Sequence, residues 1–187
     1  MKKRSFTLIE TIVVVAVIGI TMPVLFVIIF ALMRQQVKIY RLSQIKREGD
    51  YLINQMENTI KDNAMTIHSG TPPTDLNIVC KDALSSYSSN SSLYFFDKNN
   101  NWFGYLFQTE SYTIASASAF PYEPLTSSKI LVSAFTISCV RNSIYSSAII
   151  LLSFDVCFDT GAGECTSTRP EETSSIHYQT RIKLRNF

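Results

Sequence analysis

Lys3-Arg4-Ser5-Phe6-Thr7-Leu8-Ile9-Glu10-Thr11 decides how the rest of this chain is read. Met1-Lys2-Lys3-Arg4 is a short basic segment, and the 23 residues from Thr11 to Met33 carry no charge at all. As a helix rising 1.5 Å per residue, that run is roughly 35 Å long, enough for a hydrocarbon core of about 30 Å. Glu10 stands at its edge, where a carboxylate is costly and calls for a role. A secretory signal peptide fits poorly, because its apolar stretch is roughly 7 to 15 residues and ends at a small-residue cleavage site. Phe30-Ala31-Leu32-Met33 offers no such site. An uncleaved signal anchor fits the length but leaves Glu10 unexplained. A buried core helix would keep a polar face that this run lacks.

The basic leader, Phe6-Thr7-Leu8-Ile9-Glu10 and the apolar helix together closely resemble the N-terminus of the type IV pilin and pseudopilin family. The resemblance covers about 30 residues of the 187. It implies cleavage between Ser5 and Phe6 by the prepilin peptidase, methylation of the new amine, and Glu10 as the fifth residue of the mature chain. It also implies as partners the lipid bilayer, other pilin or pseudopilin subunits and an inner-membrane assembly platform. The family almost always has Gly before the cut; Ser5 departs from that, and slower processing is expected. The implied location is the cytoplasmic membrane, with the head outside the cytoplasm and a periplasmic or cell-surface filament after assembly.

Physical chemistry supplies a reason for the motif independent of its name. A carboxylate costs about 2.5 to 3.5 kcal/mol at the centre of a membrane helix. A cationic amine 4 Å away recovers about 4 kcal/mol at an effective dielectric of 20. Glu10 paired with the Phe6 amine, its own or a neighbour's, is therefore tolerated, and unpaired it is not. That asymmetry favours assembly and sets the register between adjacent helices. Within the span, Pro23 removes a backbone donor and presses on the carbonyl of Gly19, so the helix should bend or loosen between Gly19 and Pro23. By resemblance, this stretch loses regular hydrogen bonding on assembly.

Past the membrane the helix continues. Leu42, Ile45, Leu52, Ile53, Met56, Ile60 and Ile67 recur mostly at spacings of three, four and seven, and Arg47, Glu48, Asp50, Asn54, Asn58, Lys61 and Asp62 occupy the other side. Gly49 is a weak point in the run. Ser69-Gly70 with Pro72-Pro73 marks its stop. The remainder reads as a β-rich head with strands at Leu76 to Cys80, Ser92 to Asp97, Trp102 to Gln108, Ile130 to Val140, Ala148 to Phe158 and Ser175 to Arg185. In the last of these, Ile176, Tyr178, Thr180, Ile182 and Leu184 alternate with polar residues. Asp97 to Asn101 reads as a hairpin loop and serine-rich Ser85 to Ser92 as an exposed loop. The stretch Tyr178 to Asn186 resembles the last strand of minor pilins and the larger minor pseudopilins.

The expected organisation is a leader at 1–5, a transmembrane and assembly helix at 6–33, its amphipathic continuation at 34–67 and a head at 68–187. The fold class is α+β, a long helix packed on an antiparallel sheet, which lets both apolar faces be buried. This is also the pilin architecture.

The chain carries 17 basic and 15 acidic residues, and loss of the leader leaves 14 against 15, so nothing argues for nucleic-acid affinity. Cys80, Cys139, Cys157 and Cys165 all lie in the part expected outside the cytoplasm, where disulfides persist. Three connectivities are open, and the turn-like Asp159-Thr160-Gly161-Ala162-Gly163 favours Cys157 with Cys165. No C-x-x-C pair occurs, which argues against zinc. Asp97, Asn99 and Asn101, and separately Asp155, Asp159 and Glu164, lack the full ligand set of a calcium loop and read as turns. No cofactor or metal is expected. There is no G-x-S-x-G, phosphate loop or H-E-x-x-H, and His68 and His177 read as surface histidines, so the chain reads as a non-enzyme. A structural minor pilin or pseudopilin is the expected function. The alternative is a permanently anchored single-pass protein whose head binds a ligand outside the membrane.

Overall fold

The computed structural model describes residues 7–118, 121–159, 161, 165 and 175–185. It divides into two compact units, Met1–Tyr40 and Arg41–Phe187. One helix, α1 (Leu8–Asn63), contributes to both. In the first unit every residue from Thr7 to Tyr40 is exposed, including apolar side chains such as Ile9, Val15, Ile20 and Val27. A helix this apolar on every side is stable only in an apolar medium or against other chains.

In the second unit the helix becomes one-sided. Ile45, Gly49, Leu52, Met56 and Ile60 are buried at steps of four, three, four and four, a single stripe along the axis. The stripe joins a core drawn from both sheets, including Leu93, Phe95 and Tyr105 on one side and Ile137, Ile150, Phe154 and Ile182 on the other. Each fully buried side chain of this kind contributes about 1.5 to 3 kcal/mol.

The strands are β1 (Thr66–His68), β2 (Ile78–Val79), β3 (Ser85–Ser89), β4 (Ser92–Phe96), β5 (Trp102–Gln108), β6 (Thr113–Ser116), β7 (Glu123–Pro124), β8 (Ile130–Arg141), β9 (Ile149–Phe158) and β10 (Ser175–Lys183). They form a six-stranded sheet of order β2-β1-β4-β5-β6-β7 and a four-stranded sheet of order β10-β9-β8-β3. All pairings are antiparallel. The result is the α+β arrangement expected, a long helix on antiparallel sheets.

Three local expectations are corrected. The helix stops at Asn63 rather than Ile67, because Met65 donates its N–H to the Phe96 carbonyl at 2.8 Å and Thr66, Ile67 and His68 pair with β4. Ile67 stays buried either way, so its apolar character does not distinguish helix from strand. Ser85–Ser89 is an edge strand rather than a loop, paired residue for residue with Arg141 to Ile137 and anchored by Tyr87 against the core. Four short strands, β1, β3, β6 and β7, are absent from the expected set. The hairpin at Asp97 to Asn101 forms as read, with Asp97 Oδ1 accepting the N–H groups of Asn99 and Asn101 at 2.7 and 2.9 Å.

Candidate functional site at the exposed N-terminal helix

Ser5 and Phe6, where cleavage is expected, lie outside the described residues. The helix begins immediately after them. The Thr7 carbonyl accepts the N–H groups of Glu10 and Thr11 at 3.1 and 3.3 Å, and the Thr11 hydroxyl donates back to the Leu8 carbonyl at 2.8 Å. Glu10 therefore sits in the first turn, where the free N–H groups favour a negative charge. Its side chain is exposed and has no partner among the described residues. Among the described residues one helix is long and apolar enough to cross a membrane, and it is this one.

Pro23 lies inside α1, and the helical assignment is unbroken through Gly19 to Pro23. The proline leaves the Gly19 carbonyl without its usual donor, so in this state the site is a missing hydrogen bond within a continuous helix. Thr21 Oγ1 donates to the Ile18 carbonyl at 3.3 Å, the kind of side-chain bond that steadies a helix near such a gap. A Cβ on Gly19 would meet nothing within 4 Å, so no contact inside the chain calls for glycine there.

The head holds the remaining candidates. Two disulfides form, Cys157 with Cys165 across eight residues and Cys80 with Cys139 across 59. His68 is not at the surface: it is 1 % exposed, with Nε2 at 2.8 Å from Thr66 Oγ1 and Nδ1 at 2.8 Å from Asn77 Oδ1 and 3.0 Å from the Thr74 carbonyl. Two acceptors at Nδ1 assign the proton to that nitrogen and leave Nε2 to accept from the threonine. His68 thus fastens the loop after β1, and no local pattern in the sequence announced its burial.

His177 is exposed, as read. On the outer face of β9 and β10 its Nδ1 lies 2.6 Å from Asp155 Oδ1 and its Nε2 lies 3.4 Å from Ser153 Oγ. Strand pairing explains the cluster, since His177 stands opposite Asp155 and Gln179 opposite Ser153. With the His177 side chain 58 % exposed, the three residues form a solvated polar ladder.

Among the described residues neither acidic stretch gathers ligands. Asp97 spends Oδ1 on its own turn, and although desolvation acts upward on its carboxyl, the backbone N–H groups of Asn101 and Asn99 hold it below the usual range. Asp155 faces His177, Asp159 Oδ1 accepts from the Gly161 N–H at 2.7 Å, and Glu164 lies outside the described residues. Among the described residues no three His, Cys, Asp or Glu side chains are placed to hold a metal ion.

Residues 1–22 match the family model for the prokaryotic N-terminal methylation motif. No curated protein and no solved structure matches the chain.

Proposed function

We infer that this chain, whose first 22 residues match the methylation-motif model, is a structural minor subunit of a type IV pilus-like filament or secretion pseudopilus. The prepilin peptidase cuts it between Ser5 and Phe6, the new amine is methylated, and the apolar helix leaves the bilayer by packing against the helices of other subunits on an assembly platform. The head lies outside the cytoplasm throughout.

One observation carries the reading: the motif opens directly onto a helix whose residues are all exposed from Thr7 to Tyr40 and uncharged from Thr11 to Met33, with Glu10 in its first turn. Such a surface needs lipid before assembly and other helices after it. Glu10 has no partner within the described chain, which is what a carboxylate kept for another subunit's amine requires. The proposed role is structural, and it leaves the water-exposed Ser153, His177 and Asp155 ladder without a part to play.

N-terminal sequencing and intact mass of the membrane-extracted protein test this directly. A methylated Phe6 start is expected. An intact Met1 start would leave a permanently anchored protein whose head binds a ligand. Glu10→Ala is expected to insert normally and to be lost from sheared filaments; undiminished incorporation would refute the charge-pairing argument.

A further inference from the structure

Leu84 occupies a position that local physics disfavours twice. Its φ is +57°, in the left-handed region where a bulky side chain is strained and where glycine or asparagine is usual, and its side chain is 87 % exposed. A neighbouring turn repeats the second anomaly. Ser143 and Ser146 close it, with the Ser146 N–H on the Ser143 carbonyl at 3.1 Å and the Ser143 N–H on Ser146 Oγ at 3.0 Å. Its two corner residues are Ile144, 58 % exposed, and Tyr145, 94 % exposed. Turn corners ordinarily carry Asn, Asp, Gly or Ser.

Arg141 ties the two loops together. Its guanidinium donates to the Lys81 carbonyl at 2.6 Å, to Ile144 at 2.8 Å, to Ser143 at 3.2 Å and to Ser146 at 3.0 Å. The Cys80–Cys139 disulfide holds the same loop to β8 two residues earlier in that strand. Three apolar side chains are thus displayed on a fixed frame, which lowers the ordering cost of binding. Strain and exposure held in place by surrounding structure mark a functional surface.

We propose that Leu84, Ile144 and Tyr145 form a docking patch for the head of a neighbouring pilin-type subunit in the same assembly. This rests on the filament reading above. The three side chains offer on the order of 400 Å² of apolar surface. A stable interface takes about 800 Å² per partner, so the patch cannot hold two free copies together by itself. It suits heads whose chains are already joined through their apolar helices. The local charge favours protein over a bilayer. Lys81 and Asp82 offset each other, and the Arg141 guanidinium is engaged with carbonyls, whereas docking to a membrane surface draws on a cluster of free basic residues.

The test uses the full chain in its native membranes, with the photoreactive residue benzoylphenylalanine replacing Tyr145. The expected product is an adduct with another subunit bearing the methylation motif; adducts with lipid alone, or none, overturn the proposal. The double variant Leu84→Asn, Tyr145→Ser is expected to keep or raise the melting temperature of the detergent-extracted protein while recovery in sheared filaments falls at least tenfold. Unchanged recovery overturns the proposal, and so does a lowered melting temperature, which would make Leu84 a stabilising residue of the head. An adduct obtained from a chain that keeps Met1 would refute the filament reading while supporting the contact between heads.

Discussion

Gly49 shows how one residue can be misjudged without its neighbours. In the helix it costs about 1 kcal/mol relative to alanine. The structure gives the reason: a Cβ at Gly49 would lie 2.2 Å from Tyr178 Cε2 and 2.4 Å from Cζ. The ring cannot easily yield, because it stacks on Phe154 at 5.6 Å and its hydroxyl donates to the Lys46 carbonyl at 3.0 Å. Gly49→Ala is therefore expected to destabilise the protein by about 1 to 2 kcal/mol, overpacking outweighing the helix-propensity gain. A melting temperature raised by the substitution would refute that. The same tyrosine gives a pH dependence. Burial, then the Asp50 carboxylate, pushes the Tyr178 hydroxyl from 10.0 up to about 12. Between those values the unfolded phenol ionises while the folded one keeps its proton, so stability falls as pH rises through this window and is unaffected below it. Tyr105, also raised by burial, adds to the trend. Thermal melts of Tyr178→Phe are expected to fall less steeply than wild type above about pH 10; parallel slopes would remove Tyr178 from the account.

Among the elements, legibility follows the strength of the local pattern. β10 was readable because buried Tyr178 and Ile182 alternate with exposed His177, Gln179, Arg181 and Lys183. β8 carries a subtler signal. Ile130 and Val132 are buried at even positions, then Phe135, Ile137 and Cys139 at odd ones, and the register slips between Ser133 and Thr136 with Ala134 at φ +50°. A bulge is what lets one apolar face survive that change of phase. β3 was illegible, since Ser85-Ser86-Tyr87-Ser88-Ser89 offers one anchoring side chain and takes its conformation from β8. Disulfides tie distant elements together, and the closed loops predict unequal effects. Cys80→Ser with Cys139→Ser opens a separation of 59 residues and should cost about 4 kcal/mol, against about 2.5 kcal/mol for the pair eight residues apart. Equal losses in denaturant titrations would contradict the loop-entropy reasoning.

For the whole molecule, the proposed processing would decide which state the helix occupies. Ser5 stands where the family has glycine, so Ser5→Gly is expected to raise the ratio of mature to precursor protein in pulse-chase samples, and an unchanged ratio would show that serine is no impediment. The apolar helix, its lone carboxylate and the motif at residues 1–22 were determined by the sequence alone, because each is written in consecutive residues and needs no partner within the chain to be recognised. Tertiary structure alone decided where the helix hands over to β1, that Ser85–Ser89 is a strand, that His68 is buried and that Gly49 must be glycine. The loops that carry Leu84 and the pair Ile144 and Tyr145 are joined the same way, through the Arg141 hydrogen bonds to Lys81 and Ile144. Apart from His68, whose hydrogen-bond partners lie within nine residues of it, the deciding contact in each case joins residues far apart along the chain, and no pattern of neighbours encodes it.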